Sequence, residues 1–457
     1  MRNKQKSPDL LNAPIPETLK KMTIPMIFGM VTLMLFNLVD TFFVSLLGTE
    51  PLAAISFTFP VTFTVISLAI GLSIGTSAII AKALGAGDIA EARFDGAVAL
   101  IVSAVFVSVL SLFGYILMDP IFALLGADQS LMVHIRDYIG VWFIGSVFLI
   151  TPMIGNAVVR ASGDTKTPSM IMGFAGVVNA VLDPIFIFGF GPIPAMGIKG
   201  AAIASVVAWT CGVFIILYLL IFKRKLVSLK SKKQTFSSAT QKMLKIGLPA
   251  AGANMLTPIA MAVMTALVAR HGAEAVAAFG VGSRIESISS IVVLALSMTL
   301  PPFISQNFGA GKFERVASAY KTSLKFILIW QFILYLVLIL FSQVIAEIFA
   351  SSEGVISVIT LFIWILPLGY GLQGVIILSN SSFNALHKPM NALSMSVIRL
   401  FAFYVPFAYV GSLFWDIQGL FIGALVGNVF TALISYRWFC QTLESVGVNN
   451  QAEECEA

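Results

Sequence analysis

Apolar residues arrive in twelve blocks, each long enough to cross a bilayer, and a chain built this way has no soluble fold open to it. The blocks cover 20–47, 53–82, 92–118, 130–160, 165–190, 198–222, 240–269, 274–307, 315–347, 355–385, 389–413 and 417–440. A crossing helix needs about 20 mostly apolar residues. Within the hydrocarbon layer every backbone polar group must find its partner inside its own segment, which these blocks achieve as helices. Composition closes off the alternative: 58% of the 457 residues are hydrophobic and 11% are charged, against roughly 25% charged in a soluble domain. The first block is too long for the core of a cleaved export signal and lacks an A-x-A exit, so it is read as a retained first helix.

Basic residues fix the direction of threading. With the N-terminus inside, 23 of the 28 Lys and Arg fall in cytoplasmic segments and two, Lys199 and Arg270, fall outside, a strong positive-inside bias. Both termini are therefore expected in the cytoplasm. The net charge of +6 is spread over these loops, so no nucleic-acid-binding stripe is read from it. Eight of the basic residues crowd between Lys223 and Lys245 among Ser and Thr, the composition of an exposed linker. The expected division is a tail over 1–19, a first lobe over 20–222, a basic linker over 223–239, a second lobe over 240–440 and a tail over 441–457.

The two lobes repeat one another. Pro25 matches Pro249, Ala53 and Ala54 match Ala277 and Ala278, and Gly85, Ala86 and Gly87 match Gly309, Ala310 and Gly311, all at an offset of 224. Six crossings per lobe give both copies the same orientation, related by an axis along the membrane normal, as in transporters with a cleft between duplicated halves. The fold expected is an all-α integral membrane protein of twelve transmembrane helices, in two six-helix lobes related by a parallel pseudo-two-fold repeat, with a V-shaped cleft between them.

Ionisable side chains inside a span cost several kcal/mol and are functional candidates by default. Asp40 and Asp183 lie 19 and 17 residues beyond Lys21 and Lys166, which puts both roughly 25 to 29 Å above the cytoplasmic edge. Asn37 and Asn179 precede them by three and four residues, on the same helix faces, and Asn156 can approach the same region. Pro184 lacks the donor that would bond the Ala180 carbonyl, freeing that oxygen. The repeat is an internal control: Asp40 corresponds to Met264, and Asp183 to a position within Ala402 to Tyr404. Packing residues recur in both copies, whereas a site need exist once, so the asymmetry favours function over a polar knot that joins two helices. Two close carboxylates in low dielectric repel, so at least one is expected to hold a proton near neutral pH. Carboxylate, amide and carbonyl oxygens also suit sodium, leaving Na+ open at Asp40, Asn179 and Asp183. Pro25, about four turns before Asp40, is either a functional hinge or a static kink.

In the second lobe Glu286 and Arg399 lie mid-span and are read as a pair across helices, with Arg284 facing elsewhere; structural pairing and cavity lining are the alternative roles. His134, His271 and His387 have no metal-binding spacing, the three cysteines suggest no disulfide framework, and no nucleophile, phosphate-loop or zincin motif supports an enzyme.

Together with the twelve blocks and the parallel repeat, IPMIFGM around Pro25, NLVDTFFVSLLG around Asp40, RASGDTKTP after the fourth block and NAVLDPIFIFG around Asp183 resemble the MATE multidrug exporters over nearly the whole chain. The acidic pair in the first lobe resembles the DinF-like rather than the NorM-like branch. The resemblance implies a secondary active multidrug efflux antiporter in the bacterial inner membrane, no cofactor aside from a coupling ion, and a monomeric state in contact with membrane lipid. Cationic or amphipathic drugs would leave in exchange for H+ or Na+ by alternating access. It further implies that Asp40, Asp183 and Asn179 bind the coupling ion, that Asn37, Tyr138, Asn156 and Met172 line the first-lobe cavity, and that the first helix bends at Pro25 when Asp40 is protonated. Some relatives place a hydroxyl early in the sixth helix, whereas GIKGAAIAS offers none before Ser205, which favours protons. A lipid-linked oligosaccharide flippase of the same superfamily is the rival, since Arg284 and Arg399 could meet a pyrophosphate.

Overall fold

The structure, a computed structural model, describes residues 9–230 and 234–456, with side chains as far as residue 447. Arg2, Lys4, Lys6, Lys232 and Lys233, counted above for orientation, and the Cys455 side chain lie outside that description, as do parts of both tails and of the linker.

The chain runs through α1 (Ile15–Ser45), α2 (Thr49–Gly85), α3 (Ile89–Ile116), the short α4 (Met118–Leu124), α5 (Gln129–Ala161), α6 (Lys166–Phe188) and α7 (Gly197–Tyr218). A second series follows: α8 (Phe236–Ala269), α9 (Ala273–Ser289), α10 (Ile291–Gly309), α11 (Phe313–Leu340), the short α12 (Ser342–Phe349), α13 (Glu353–Ile365), α14 (Tyr370–Ala385), α15 (Pro389–Ile398) and α16 (Val405–Glu456). Eleven stretches among the described residues are long and apolar enough to cross a membrane. The last of them, Pro389–Gly447, holds two crossings, because Trp415 and Asp416 leave helical geometry within α16. The total is the twelve expected from the sequence.

The duplication extends to backbone detail. Gly87 and Gly311, 224 residues apart, end α2 and α10 with φ of 79° and 69°. In each copy the next residue reaches back five positions, Asp88 N–H to the Ala83 carbonyl at 3.0 Å and Lys312 N–H to the Asn307 carbonyl at 2.8 Å. This is the Schellman termination, whose left-handed residue favours glycine. Gly48 and Gly272, again 224 apart, open α2 and α9 with φ of 113° and 101°. Asp88 and Asp128 cap α3 and α5, accepting from the Glu91 and Leu131 backbone N–H groups at 2.9 and 2.8 Å.

The described chain divides into two compact units, one of Ile24–Ala251 and one of Asp9–Thr23 with Gly252–Ala457. In the first, α2, α5 and α7 pack around Leu72, Ile135, Ile139, Ile154 and Ile216. In the second, α10, α11, α14 and α16 enclose Leu300, Phe303, Tyr320, Phe383 and Phe439. Outward faces stay apolar, as at Leu112, Phe214, Leu340 and Phe401; lipid is the solvent that accepts such surface. Two helices are shared: α1 changes unit between Thr23 and Ile24, one residue before Pro25, and α8 changes between Ala251 and Gly252, two residues after Pro249. The repeat-related prolines thus stand where each helix passes from one packing environment to the other.

Candidate functional site

α1 continues as unbroken α-helix through Pro25, although proline removes the donor that would reach the Lys21 carbonyl. Before it, the Thr23 hydroxyl meets that of Thr299 at 2.9 Å. After it, the Ser169 hydroxyl of α6 donates to the Met26 thioether at 3.4 Å. Further along, Gly176 of α6 leaves room for the Phe36 ring. These contacts seat the outer part of α1 on α6 and bring Asp40 to Asp183.

Asp183 is fully buried, and the Asp40 carboxyl lies within hydrogen-bonding range of it. Asp40 Oδ1 and Asp183 Oδ2 are both buried without a hydrogen-bond donor. The other Asp183 oxygen accepts from Asn179 Nδ2 at 3.1 Å. That spacing is one helical turn, so the amide and carboxyl share a face of α6. The same Asn179 nitrogen reaches Ser205 Oγ on α7 at 3.4 Å, and Tyr138 on α5 stands close enough to both carboxyls to feel their charges. Two ionised carboxylates in that contact would repel by about 5 kcal/mol at an effective dielectric of 20. One proton between them, or a small cation, removes the repulsion and satisfies both orphan oxygens.

Asp40, Asp183, Asn179 and Tyr138 are therefore brought together. Asn156 is buried on α5 with its amide oxygen unpartnered. Met172, half-buried, lies two turns before Asn179 on α6. Asn37 is exposed and adds no bond to the carboxyl pair. Ser205, the first hydroxyl in its helix and not among the site residues expected from the sequence, joins the cluster through its contact with Asn179. The α6–α7 connection turns near residue 193, and Asn179 and Ser205 stand at nearly equal distances on either side. In antiparallel neighbours that places them at one depth, a signal the numbering alone carried. Arg160, counted above among loop residues, is buried and donates to Ser73 Oγ at 3.1 Å.

In the second lobe the expected Glu286–Arg399 pair is not an ion pair. Glu286 Oε1 instead accepts from Gln373 Nε2 at 2.9 Å, and the Arg399 guanidinium lies over the Tyr404 ring, 5.4 Å from its centroid. Arg284 is exposed. No group of three or more His, Cys, Asp or Glu with metal-binding geometry occurs among the described residues.

Comparison with known proteins identifies the family. The MatE family model matches residues 25–185 and again 249–410, so its two copies start 224 residues apart, the offset seen in the repeated motifs. The FAD transporter of Shewanella oneidensis is 40% identical over 428 residues, covering 93% of this chain and 95% of that one. A probable multidrug resistance protein, NorM of Thermotoga maritima, is 24% identical with 93% of each chain covered. Among solved structures, the Vibrio cholerae MATE transporter VcmN in the bent form superposes with a TM-score of 0.91 at 35% identity, covering 95% of this chain and 98% of that one.

Proposed function

The chain belongs to the MatE family, and we propose that it exports flavin adenine dinucleotide, or planar amphipathic molecules of similar build, in exchange for protons. Family membership makes it a multi-pass membrane transporter of small molecules and not an enzyme. The substrate follows the relative named a FAD transporter, at 40% identity over nearly the whole chain. Export of amphipathic drugs is the second reading, favoured by the relative named for multidrug resistance, whose identity is 24%.

The observation that carries the coupling is the apposed carboxyl pair, Asp40 and Asp183, each with a buried oxygen lacking a donor. A proton between them closes the pair and its departure forces them apart. Asp40 sits on α1, which changes packing unit beside Pro25, so closure of the pair on protonation is transmitted to the segment best able to bend, and α1 straightens when the proton leaves. Crystallisation of a relative in a bent form supports that step. Alternating access would then link proton entry to substrate exit, in the inner membrane with both termini cytoplasmic, as the basic loops favour. The carboxyl oxygens of Asp40 and Asp183 beside Asn179 leave sodium as a competing occupant.

The test is transport in proteoliposomes with pH and sodium gradients imposed separately, using FAD and ethidium, for wild type and Asp40→Asn. The expected result is proton-driven FAD movement by the wild type and none above background by the variant. Proton-driven export undiminished in Asp40→Asn would defeat the coupling; sodium-driven export alone would replace the ion.

A further inference from the structure

The second lobe carries a cluster that the coupling mechanism does not use. Arg399 begins a π-helical segment, Arg399–Tyr404, between α15 and α16. Residues five apart in an α-helix point about 140° away from each other at 100° per residue. A π turn, with its i to i+5 bonding, brings them back to one side, and such segments occur often at functional sites. Here it seats the guanidinium over the Tyr404 ring. This segment also occupies the register in which the first copy carries Asp183.

Around it the groups are few and unevenly satisfied. Glu286 of α9 lies within electrostatic reach of Arg399, Tyr404 and Tyr370, yet its bonded partner is Gln373. Arg399 has no carboxylate within 4.0 Å, and its N–H groups meet no acceptor among the described residues. Tyr370 is buried, at 5% exposure, and its hydroxyl has no partner. A half-buried guanidinium inside a span, beside an idle buried hydroxyl, is a donor set without an anion. Guanidinium matches phosphate oxygens two at a time, while the aromatic faces of Tyr404 and Tyr370 suit a ring system.

We infer that Arg399, with the Tyr370 hydroxyl, binds a phosphate or diphosphate ester of the transported molecule, while Glu286 balances the guanidinium's charge when the site is empty and is displaced by the incoming anion. The inference rests on the flavin-nucleotide reading for the identity of the substrate, and it assigns that molecule's charged part to the second lobe and the coupling ion to the first.

Binding to the purified full-length protein in neutral-lipid nanodiscs separates the possibilities, with FAD, riboflavin and inorganic pyrophosphate as probes. Arg399→Gln should weaken FAD and pyrophosphate roughly ten- to a hundredfold, the loss of charge-assisted bonds, and change riboflavin, which has no phosphate, less than about twofold. Glu286→Gln should tighten FAD and pyrophosphate, an effect that a merely structural role for the cluster would not produce. If Arg399→Gln binds FAD as well as wild type, or Glu286→Gln fails to tighten pyrophosphate, the inference is overturned while flavin export stands. Pyrophosphate bound through Arg399 with no FAD transport would overturn the flavin reading and keep the anion site. Displacement of FAD by phosphatidylglycerol but not by pyrophosphate would assign the phosphate to lipid and overturn the substrate role.

Discussion

Replacing Gly176 by Ala tests whether the fit of α1 on α6 governs the carboxyl pair. A Cβ built at Gly176 would lie 2.6 Å from Phe36 Cε2 and 2.7 Å from Cγ, and nearer still to Cδ2, where ordinary contact is 3.4–4 Å. The ring must withdraw by about 1 Å, and such overpacking costs about 1–3 kcal/mol. Phe36 is one turn before Asp40, so a ring displaced from α6 takes the Asp40 carboxyl with it. Charged against the apposed state, that energy lowers its population roughly tenfold, within a spread of about 5- to 150-fold. Proton-driven export in proteoliposomes should fall accordingly, and Phe36→Leu introduced into the same chain should restore most of it by vacating the space. Gly173→Ala is the matched control: its Cβ would stand 3.7 Å from Thr32 Cγ2, an ordinary contact, and transport should be unchanged. Full activity in Gly176→Ala, or a loss that Phe36→Leu does not relieve, would refute the idea that this seat sets the pair's geometry.

Two further substitutions probe what surrounds that pair and the loop beneath it. Asn179→Ala removes the 3.1 Å donor to Asp183 and should reduce proton-driven export about ten- to a hundredfold, whereas Ser205→Ala, at 3.4 Å from the amide, should leave it within about twofold; equal losses would make the hydroxyl a necessary part of the proton site. On the cytoplasmic side Asp164 lies between spans and binds Arg224 at 2.6 Å and the Thr167 hydroxyl at 2.6 Å. Burial alone would raise its pKa, but the Thr167 hydrogen bonds and the Arg224 guanidinium outweigh it and hold the carboxyl below its usual value of 3.8. A depressed carboxylate contributes stability that is present above the unfolded value and lost as pH falls through the folded one. Asp164→Ala should therefore lower the thermal unfolding midpoint in detergent at pH 7, by about 1–3 kcal/mol in stability, and the gap from wild type should close below about pH 4; a gap independent of pH would mean that the charge is not what the loop uses.

Crossings and repeat were legible because bilayer thickness imposes a length on every block and duplication imposes a register. The same register showed that Asp40 and Asp183 have no acidic counterparts. What escaped was local geometry that depends on how a helix is wound. Glu286 and Arg399 read as partners when both were placed mid-span on regular helices, but the π segment turns the guanidinium onto Tyr404. Asn37, three residues before Asp40, shares its helical face only broadly, and the difference of a turn fraction leaves it exposed. Ser205 was not among the expected site residues, and counting from the α6–α7 turn would have found it.

Duplication sets one packing problem twice and leaves each copy free to solve the remainder differently. The termini of α2 and α10 are identical in kind because a Schellman turn in either lobe needs the same glycine. At the register of Asp183 no such need exists, and the copies diverge in both charge and backbone. The first keeps regular helix with Pro184 following the acid; the second inserts a π turn and presents Arg399 with Tyr404. On the roles proposed above, an acid that exchanges a cation and a guanidinium that receives an anion could not share one low-dielectric cluster without neutralising each other. Placing them in separate lobes would keep both available, a physical advantage that a duplicated bundle offers over a single one.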